Sequence, residues 1–250
     1  MKPLAIALTL CLSMIAGGAA AQAADNQKLS VVPIRLNIAE VGHAQTVSVI
    51  NGGDSPMDIA VGAYSWAQHD GAALDLSESK NLLVFPRTIH LNAYEQRDVR
   101  VGIVTPLTDT EGSYRLSFTQ ISDPTDLSSS GSVAMRLRIT MPVFITPIDH
   151  TIKSNVEIQH TTVGQKAIAV QLHNRSNLHV SIQSISIEAL DAHGTHIGSS
   201  QAPGWYILAN AEQTFSVPLP TIAAYAQATT FKIQVSTDDG KAITKTIAAK

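Results

Sequence analysis

The chain is poor in thiols, in charge and in recognisable catalytic motifs, and each shortage closes off chemistry. Its one cysteine is Cys11, inside an N-terminal apolar stretch that reads as an export signal. The rest of the chain therefore has no disulfide framework, no thiol nucleophile and no thiolate metal site. There is no H-E-x-x-H, no G-x-S-x-G and no glycine-rich phosphate loop, so an enzyme reading has nothing to start from. Charged residues make up 15% of the chain and the net charge is -3, which argues against a nucleic-acid or anionic-membrane partner. No apolar run after the signal is long enough to span a bilayer, and no membrane insertion is expected. Helical periodicity is almost absent.

The N-terminus has the three parts of a cleavable signal. Lys2 supplies the positive start, Leu4 to Ile15 the apolar core, and Gly17 to Ala24 the small residues. Ala21-Gln22-Ala23 fits the cleavage rule, giving a signal peptide over 1–23 and a mature start at Ala24. Roughly 225 residues remain, enough for two domains of about 110 residues with cores large enough to fold without disulfides.

Those residues alternate apolar with polar, as half-buried strands do. Val31 to Ile38 reads as one strand with Ile34, Leu36 and Ile38 on one face. Thr46 to Ile50 comes next, ended by Asn51-Gly52-Gly53-Asp54. Ile59 to Gln68, Leu82 to Phe85, Ile89 to Leu91, Val99 to Ile103 and Tyr114 to Phe118 continue the pattern. The loop Ser122 to Gly131 leads to the longest alternation, Ser132 to Pro147. There Val133, Met135, Leu137, Ile139 and Met141 share one face, and Ala134, Arg136, Arg138 and Thr140 the other. Pro142 and Pro147 bracket its end, and Ile145 to Asp149 is the expected hinge. Seven further alternating segments run from Val156 to Ile247. About seven short strands in each half predict two antiparallel β-sandwiches, 24–146 and 147–250, with no internal repeat visible in sequence.

A ribbon greasy on one side and cationic on the other has two readings. It closes its own domain, or it is lent to a protein that lacks a strand. Histidines crowd the second half, but His193-x-x-His196 sits in a turn with Asp191 and Gly194 and has no third ligand at a recognisable spacing. No metal or other cofactor is expected. Trp66 with Tyr64, and Phe85 with Pro86, read as packing residues.

Several landmarks in order resemble the periplasmic pilus chaperones of the chaperone–usher pathway. They are Val32-Pro-Ile-Arg35-Leu on the first strand, Trp66-Ala-Gln68-His-Asp-Gly71 as a W-x-Q-x-D-G hairpin, and Glu95-Gln96-Arg-Asp-Val99-Arg100-Val101. Tyr114-Arg115-Leu116, the basic–apolar ribbon ending in Pro142-Val-Phe-Ile-Thr-Pro147, and the turn Asn174-Arg-Ser-Asn177 complete them. Phe118-Thr-Gln-Ile-Ser-Asp-Pro124 lacks the Arg-Glu of the F-x-x-R-E-I-P-P segment found in many members, and no aromatic precedes Pro142. Both departures resemble the archaic branch.

The resemblance implies an all-β fold of two immunoglobulin-like sandwiches in an L-shaped arrangement, and a periplasmic, non-enzymatic protein. Its partners would be pilus subunits and the outer-membrane usher. Lending a strand to a subunit's open groove is the known mode for such chaperones; Val133, Met135, Leu137 and Ile139 would be the donor residues. The subunit's terminal carboxylate would be held by arginine, with Arg35, Arg138, Arg136 and Arg115 as candidates. For Arg100 the alternative is a structural one, pairing with an acidic side chain across the domain boundary. Weak self-association through the exposed ribbon is expected as well. The competing classes are a pilus or surface structural subunit, and a periplasmic hydrolase on a β-scaffold.

Overall fold

A computed structural model describes residues 28–39, 44–69, 72–107, 109–121, 136–148, 155–219 and 223–249. The signal peptide, its cleavage point, the Ser122 to Gly131 loop and the donor candidates Val133 and Met135 lie outside the described residues.

The first set of strands is β1 (Leu29–Val32), β2 (Leu36–Ile38), β3 (Gln45–Asn51), β4 (Met57–His69), β5 (Ala72–Glu78), β6 (Leu82–Phe85), β7 (Thr88–Leu91), β8 (Gln96–Ile103), β9 (Gly112–Ile121) and β10 (Arg138–Ile145). The second is β11 (Val156–Val163), β12 (Ala167–Asn174), β13 (Val180–Leu190), β14 (His196–Pro203), β15 (Tyr206–Ile207), β16 (Glu212–Pro218), β17 (Thr230–Thr237) and β18 (Ala242–Ala248), with a short 3-10 helix, Ala223–Gln227, before β17. In the first half, a sheet ordered β1-β3-β8-β6 faces one ordered β2-β10-β9-β4-β5, with β7 also pairing β4. In the second, β11-β12-β16 faces β14-β13-β17-β18, with β15 pairing β13. Inward residues such as Val47, Val49, Ile59, Leu82, Val99, Leu116 and Phe118 fill the first core. Ile168, Val170, Leu172, Ile185, Ile187, Ile233 and Val235 fill the second.

The segment that reads as one strand, Val31 to Ile38, is two. β1 pairs antiparallel with β3, whereas β2 pairs parallel with β10 in the opposite sheet. The chain crosses between sheets at Pro33, which donates no N–H to continue a ladder, and Ile34 is left 82% exposed. Phe85, expected as a packing residue, is 75% exposed on an edge strand. Two edge strands, β5 and β14, carry too little apolar alternation to be read from sequence.

The halves share a central strand order, β1-β3-β8 matching β11-β12-β16 and β5-β4-β9-β10 matching β14-β13-β17-β18, with β2 and β6 having no counterpart among the described residues of the second half; they also share a matching polar module. Asn51 ends β3 and Asn174 ends β12, and neither side chain is exposed. Each side-chain amide donates to the carbonyl four residues on, Ser55 at 2.8 Å and Leu178 at 2.8 Å. Each also donates across the sandwich to consecutive carbonyls, Leu91 (3.5 Å) and Asn92 (2.9 Å) in one half, Ile207 (3.1 Å) and Leu208 (2.9 Å) in the other. Each Oδ1 accepts the N–H two residues on, from Gly53 or Ser176. Backbone bonds repeat too: Asn51 N–H to Glu95 and Tyr94 N–H to Gly53 match Asn174 N–H to Ala211 and Asn210 N–H to Ser176. Tyr94 (φ 60°) and Asn210 (φ 56°) take the same left-handed conformation.

One carboxylate in each half is held far below its ordinary range. Glu95 accepts the Asn92 N–H at 2.7 Å and the Arg97 Nε–H at 2.7 Å, which lower it from 4.5 to about 2. Asp239, bonded by Lys241 and the Thr237 hydroxyl, is also lowered to about 2. A carboxylate depressed on folding stabilises the native state above its unfolded value, and that contribution is lost as pH falls through the folded value. The melting temperature therefore falls as pH drops from about 5 to about 2. The Glu95→Gln variant gives a flatter profile over that window; an unchanged profile would remove Glu95 as a contributor.

Candidate functional site

β10 is flanked by β9 along its length but by β2 at one end only. β2 covers Val143, Phe144 and Ile145, so from Arg138 to Pro142 the outer edge of β10 is unpaired among the described residues. Pairing with β9 continues back to Leu137, whose carbonyl accepts the Gln120 N–H at 2.9 Å. Met141, Val143 and Ile145 point into the first core, Ile139 is half-buried against it, and Leu137, also half-buried, precedes it on the same face. Of the donor candidates, Leu137 is thus the one least committed to its own domain among the described residues.

The other face of the same strands carries the cations. Arg138 lies opposite Thr119, Thr140 opposite Ser117, and Pro142 opposite Arg115. Arg138 is exposed and its Nε–H donates to the Ser117 hydroxyl at 2.9 Å. Arg136 is exposed just before β10, and Arg35 is exposed in the link between β1 and β2. Arg115 is different. Strand alternation marks it as a surface residue, yet it is only 4% exposed. Its guanidinium carbon sits 4.1 Å from the centre of the Trp66 ring and 5.4 Å from that of Trp205. Its Nε and Nη2 are buried with no hydrogen-bond partner among the described residues. Burial disfavours the cation and lowers its pKa from the ordinary 12.5, an effect partly opposed by Tyr206.

The second domain supplies one wall of this site because the two domains are stitched together beside it. Trp66, Phe144 and Leu208 form a small apolar cluster, with Tyr206 packed against it. Gln68 donates to the Tyr206 carbonyl at 2.9 Å and accepts the Leu208 N–H at 2.8 Å. Glu111 accepts the His179 N–H at 2.7 Å and lies 2.7 Å from its Nδ1, while the His179 ring stacks on Phe144 with centroids 3.5 Å apart. Asn177 donates to the Asp109 carbonyl at 2.9 Å. The carboxyl–imidazole contact across the boundary is thus Glu111 with His179. Arg100, an alternative for such a pairing, is exposed on β8 in the opposite sheet, across from Phe85. Trp66, expected as hairpin packing, belongs to the joint and to the arginine site. Of the sequence candidates, Arg115 and Arg138 lie on one face of neighbouring strands, bridged by the Ser117 side of β9. Among the described residues no three His, Cys, Asp or Glu side chains form a group able to hold a metal. No described helix is long and apolar enough to cross a membrane.

Residues 28–150 match the N-terminal domain of the PapD pili and flagellar-assembly chaperones. The chain belongs to the PapD-like pilus chaperones. No curated protein sequence matches it. Solved structures share the fold over both domains at low identity. A CsuC–CsuE chaperone–tip adhesion subunit pre-assembly complex, from the archaic chaperone–usher Csu pili of Acinetobacter baumannii, aligns with a TM-score of 0.61 at 18% identity, covering 88% of this chain and 98% of that one. A Salmonella enterica complex of the SafA pilin with the SafB chaperone aligns at 0.56 and 16% identity, covering 89% and 96%. The E. coli chaperone DraB aligns at 0.54 and 17%, covering 90% and 98%. The family is non-enzymatic, in keeping with the missing catalytic motifs.

Proposed function

We propose that this chaperone works in the periplasm, captures pilus subunits by lending them the open edge of β10, and delivers them to an outer-membrane usher. The donor residues are Leu137 and Ile139, with Val133 and Met135 upstream in the same alternation. Arg115 is the principal holder of the client's terminal carboxylate, with Arg138, Arg136 and Arg35 as lesser contributors along the approach. The domains divide at 146/147, after a signal ending at residue 23, and the departures in the ribbon and after β9 favour the archaic branch.

One observation carries the reading. A buried guanidinium with two donors unpartnered among the described residues lies one strand away from a strand edge that no described strand pairs. Unpaired buried donors are costly, and a protein retains them where a ligand completes them. A carboxylate taken side-on by Nε and Nη2 does so with two charge-assisted bonds. The adjacent edge then bonds the client's backbone, and the alternate aliphatic side chains fill its groove at roughly 1.5–3 kcal/mol each.

Co-expression with a candidate subunit, followed by purification of a one-to-one complex, tests the class. Within that assay Leu137→Asp is expected to weaken capture by about 100-fold, because it removes one buried aliphatic group and places a carboxylate in an apolar groove. Leu137 is only half-buried in the free protein, so its melting temperature should move little. Undiminished capture by Leu137→Asp would remove the donor assignment.

A further inference from the structure

The Arg115 site has a roof as well as a floor, and they come from different domains. Trp66 is the floor: it is buried, and it packs against Phe144 and Tyr206 in the joint. Trp205 is the roof. It stands 5.4 Å from the guanidinium, is 42% exposed, and meets Tyr206 edge-on at 5.7 Å. Its backbone is firmly held. The Trp205 carbonyl accepts the Ile182 N–H at 3.0 Å, and the neighbouring Gly204 donates to Gln183 at 3.0 Å. A Cβ on Gly204 would lie 2.0 Å from the Ile182 carbonyl oxygen, so only glycine lets the chain run this close to β13. A fixed backbone therefore presents an indole that is open to solvent on one side.

Nε and Nη2 lie along the same edge of the guanidinium plane, the edge that receives a carboxylate with two parallel bonds. Both are buried, so a client reaches them only if a neighbour moves; of the two indoles against the guanidinium, Trp205 is the exposed one and Trp66 is buried. We propose that Trp205 is a specificity-determining residue of the client site. Its indole covers the Arg115 fork, keeps water off it, swings aside for a chain-terminal carboxylate and closes over the pair. The attraction between the two charges is several times stronger in a partly dried site than in water. A neutral amide gains nothing from that drying. The roof thus turns a general anion contact into selection for a free C-terminus. This rests on the assignment of Arg115 as the carboxylate holder.

The test titrates the full chaperone with N-acetyl-alanylglycine as the free acid and as its C-terminal amide. Binding is followed by tryptophan fluorescence and by the Arg115 Nε–H NMR signal. Trp66 and Trp205 are the chain's two tryptophans, so Trp66 still reports on the site when Trp205 is replaced. The unmodified protein should prefer the acid by about tenfold, Trp205→Ala by less than about twofold, and Trp205→Phe should restore most of the preference. Acid binding by Trp205→Ala should also become more sensitive to salt, as for an exposed ion pair. Trp205→Leu carries the same comparison if the alanine variant does not fold. A Trp205→Ala protein that keeps the full acid preference and the original salt dependence overturns the roof while leaving Arg115 in place. No acid preference in the unmodified protein overturns the Arg115 assignment itself, and the roof with it.

Discussion

Replacing Arg115 with methionine is expected to do two opposite things at once: stabilise the free chaperone and abolish client capture. In the free protein the guanidinium is nearly fully buried, and Nε and Nη2 are unpartnered among the described residues. Each unpaired buried donor costs about 1–3 kcal/mol. The opposing gain is attraction to the indole faces, about 2 kcal/mol for a desolvated pair. Methionine keeps the unbranched stem and its packing against Trp66 while removing the charge and the donors. The net change is a gain of about 1–3 kcal/mol, or a rise in melting temperature of about 2–4 °C for each kcal/mol at this size. Capture falls by about 100-fold or more, because the client's carboxylate is left buried without a partner. Arg115→Lys separates charge from geometry: the cation stays but the two-pronged fork is lost, and binding should land between the parent and the methionine variant. Thermal melts and one-to-one complex yield read both effects. A methionine variant that is less stable than the parent would mean Arg115 is structural; one that still captures clients would move the anchor to another arginine.

The position of Arg115 also marks the limit of sequence reading. Alternation places it on the outer face of β9, and that is where it lies. What alternation cannot show is that a loop of the other domain, far along the chain, lays Trp205 over it. Burial of an outward-facing strand residue is a property of domain packing. The same holds for Trp66 and Gln68: their spacing marks a hairpin motif, but their work is done against Tyr206 and Leu208 across the boundary. Elements that bury one face within their own sheet, such as β3, β4, β8, β12 and β17, are legible from period-two patterning alone. Elements that violate it are not. β1 and β2 merge in sequence because apolar residues continue on both sides of Pro33, where the chain crosses from one sheet to the other. β5 and β14 escape notice because edge strands with few large apolar residues have little pattern to read. The donor ribbon falls between these cases: its alternation is plain, but only the ladder to β9 and the short reach of β2 reveal an open edge.

The second large effect is expected from Asn174→Ala, and Asn51→Ala provides its internal control. Both residues read as turn formers in sequence, which is true of their backbone and says nothing of their side chains. The Asn174 amide satisfies the carbonyls of Leu178, Ile207 and Leu208, and its oxygen receives the Ser176 N–H and hydroxyl. Alanine removes all of these bonds; the Leu208 carbonyl keeps the Ala211 N–H and the Leu178 carbonyl keeps the Ser176 hydroxyl, so each lost bond costs nearer about 1 kcal/mol than the about 1–3 kcal/mol of a fully orphaned group. The summed penalty of about 3–6 kcal/mol approaches the whole stability of a typical domain, about 5–15 kcal/mol. The second domain should lose its cooperative unfolding transition or melt at far lower temperature. Asn51→Ala should do the same to the first domain, but less severely, because its bond to Leu91 is long at 3.5 Å, near the limit of a useful contact. Asparagine to aspartate rescues neither, since a carboxylate brings a second acceptor against carbonyl oxygens that need a donor. Calorimetry of the two variants, resolved by domain, distinguishes this from a loss of turn propensity. A turn effect would lower both domains by about 1 kcal/mol or less, whereas a lost cross-strand clasp lowers each domain in proportion to the bonds its own asparagine makes.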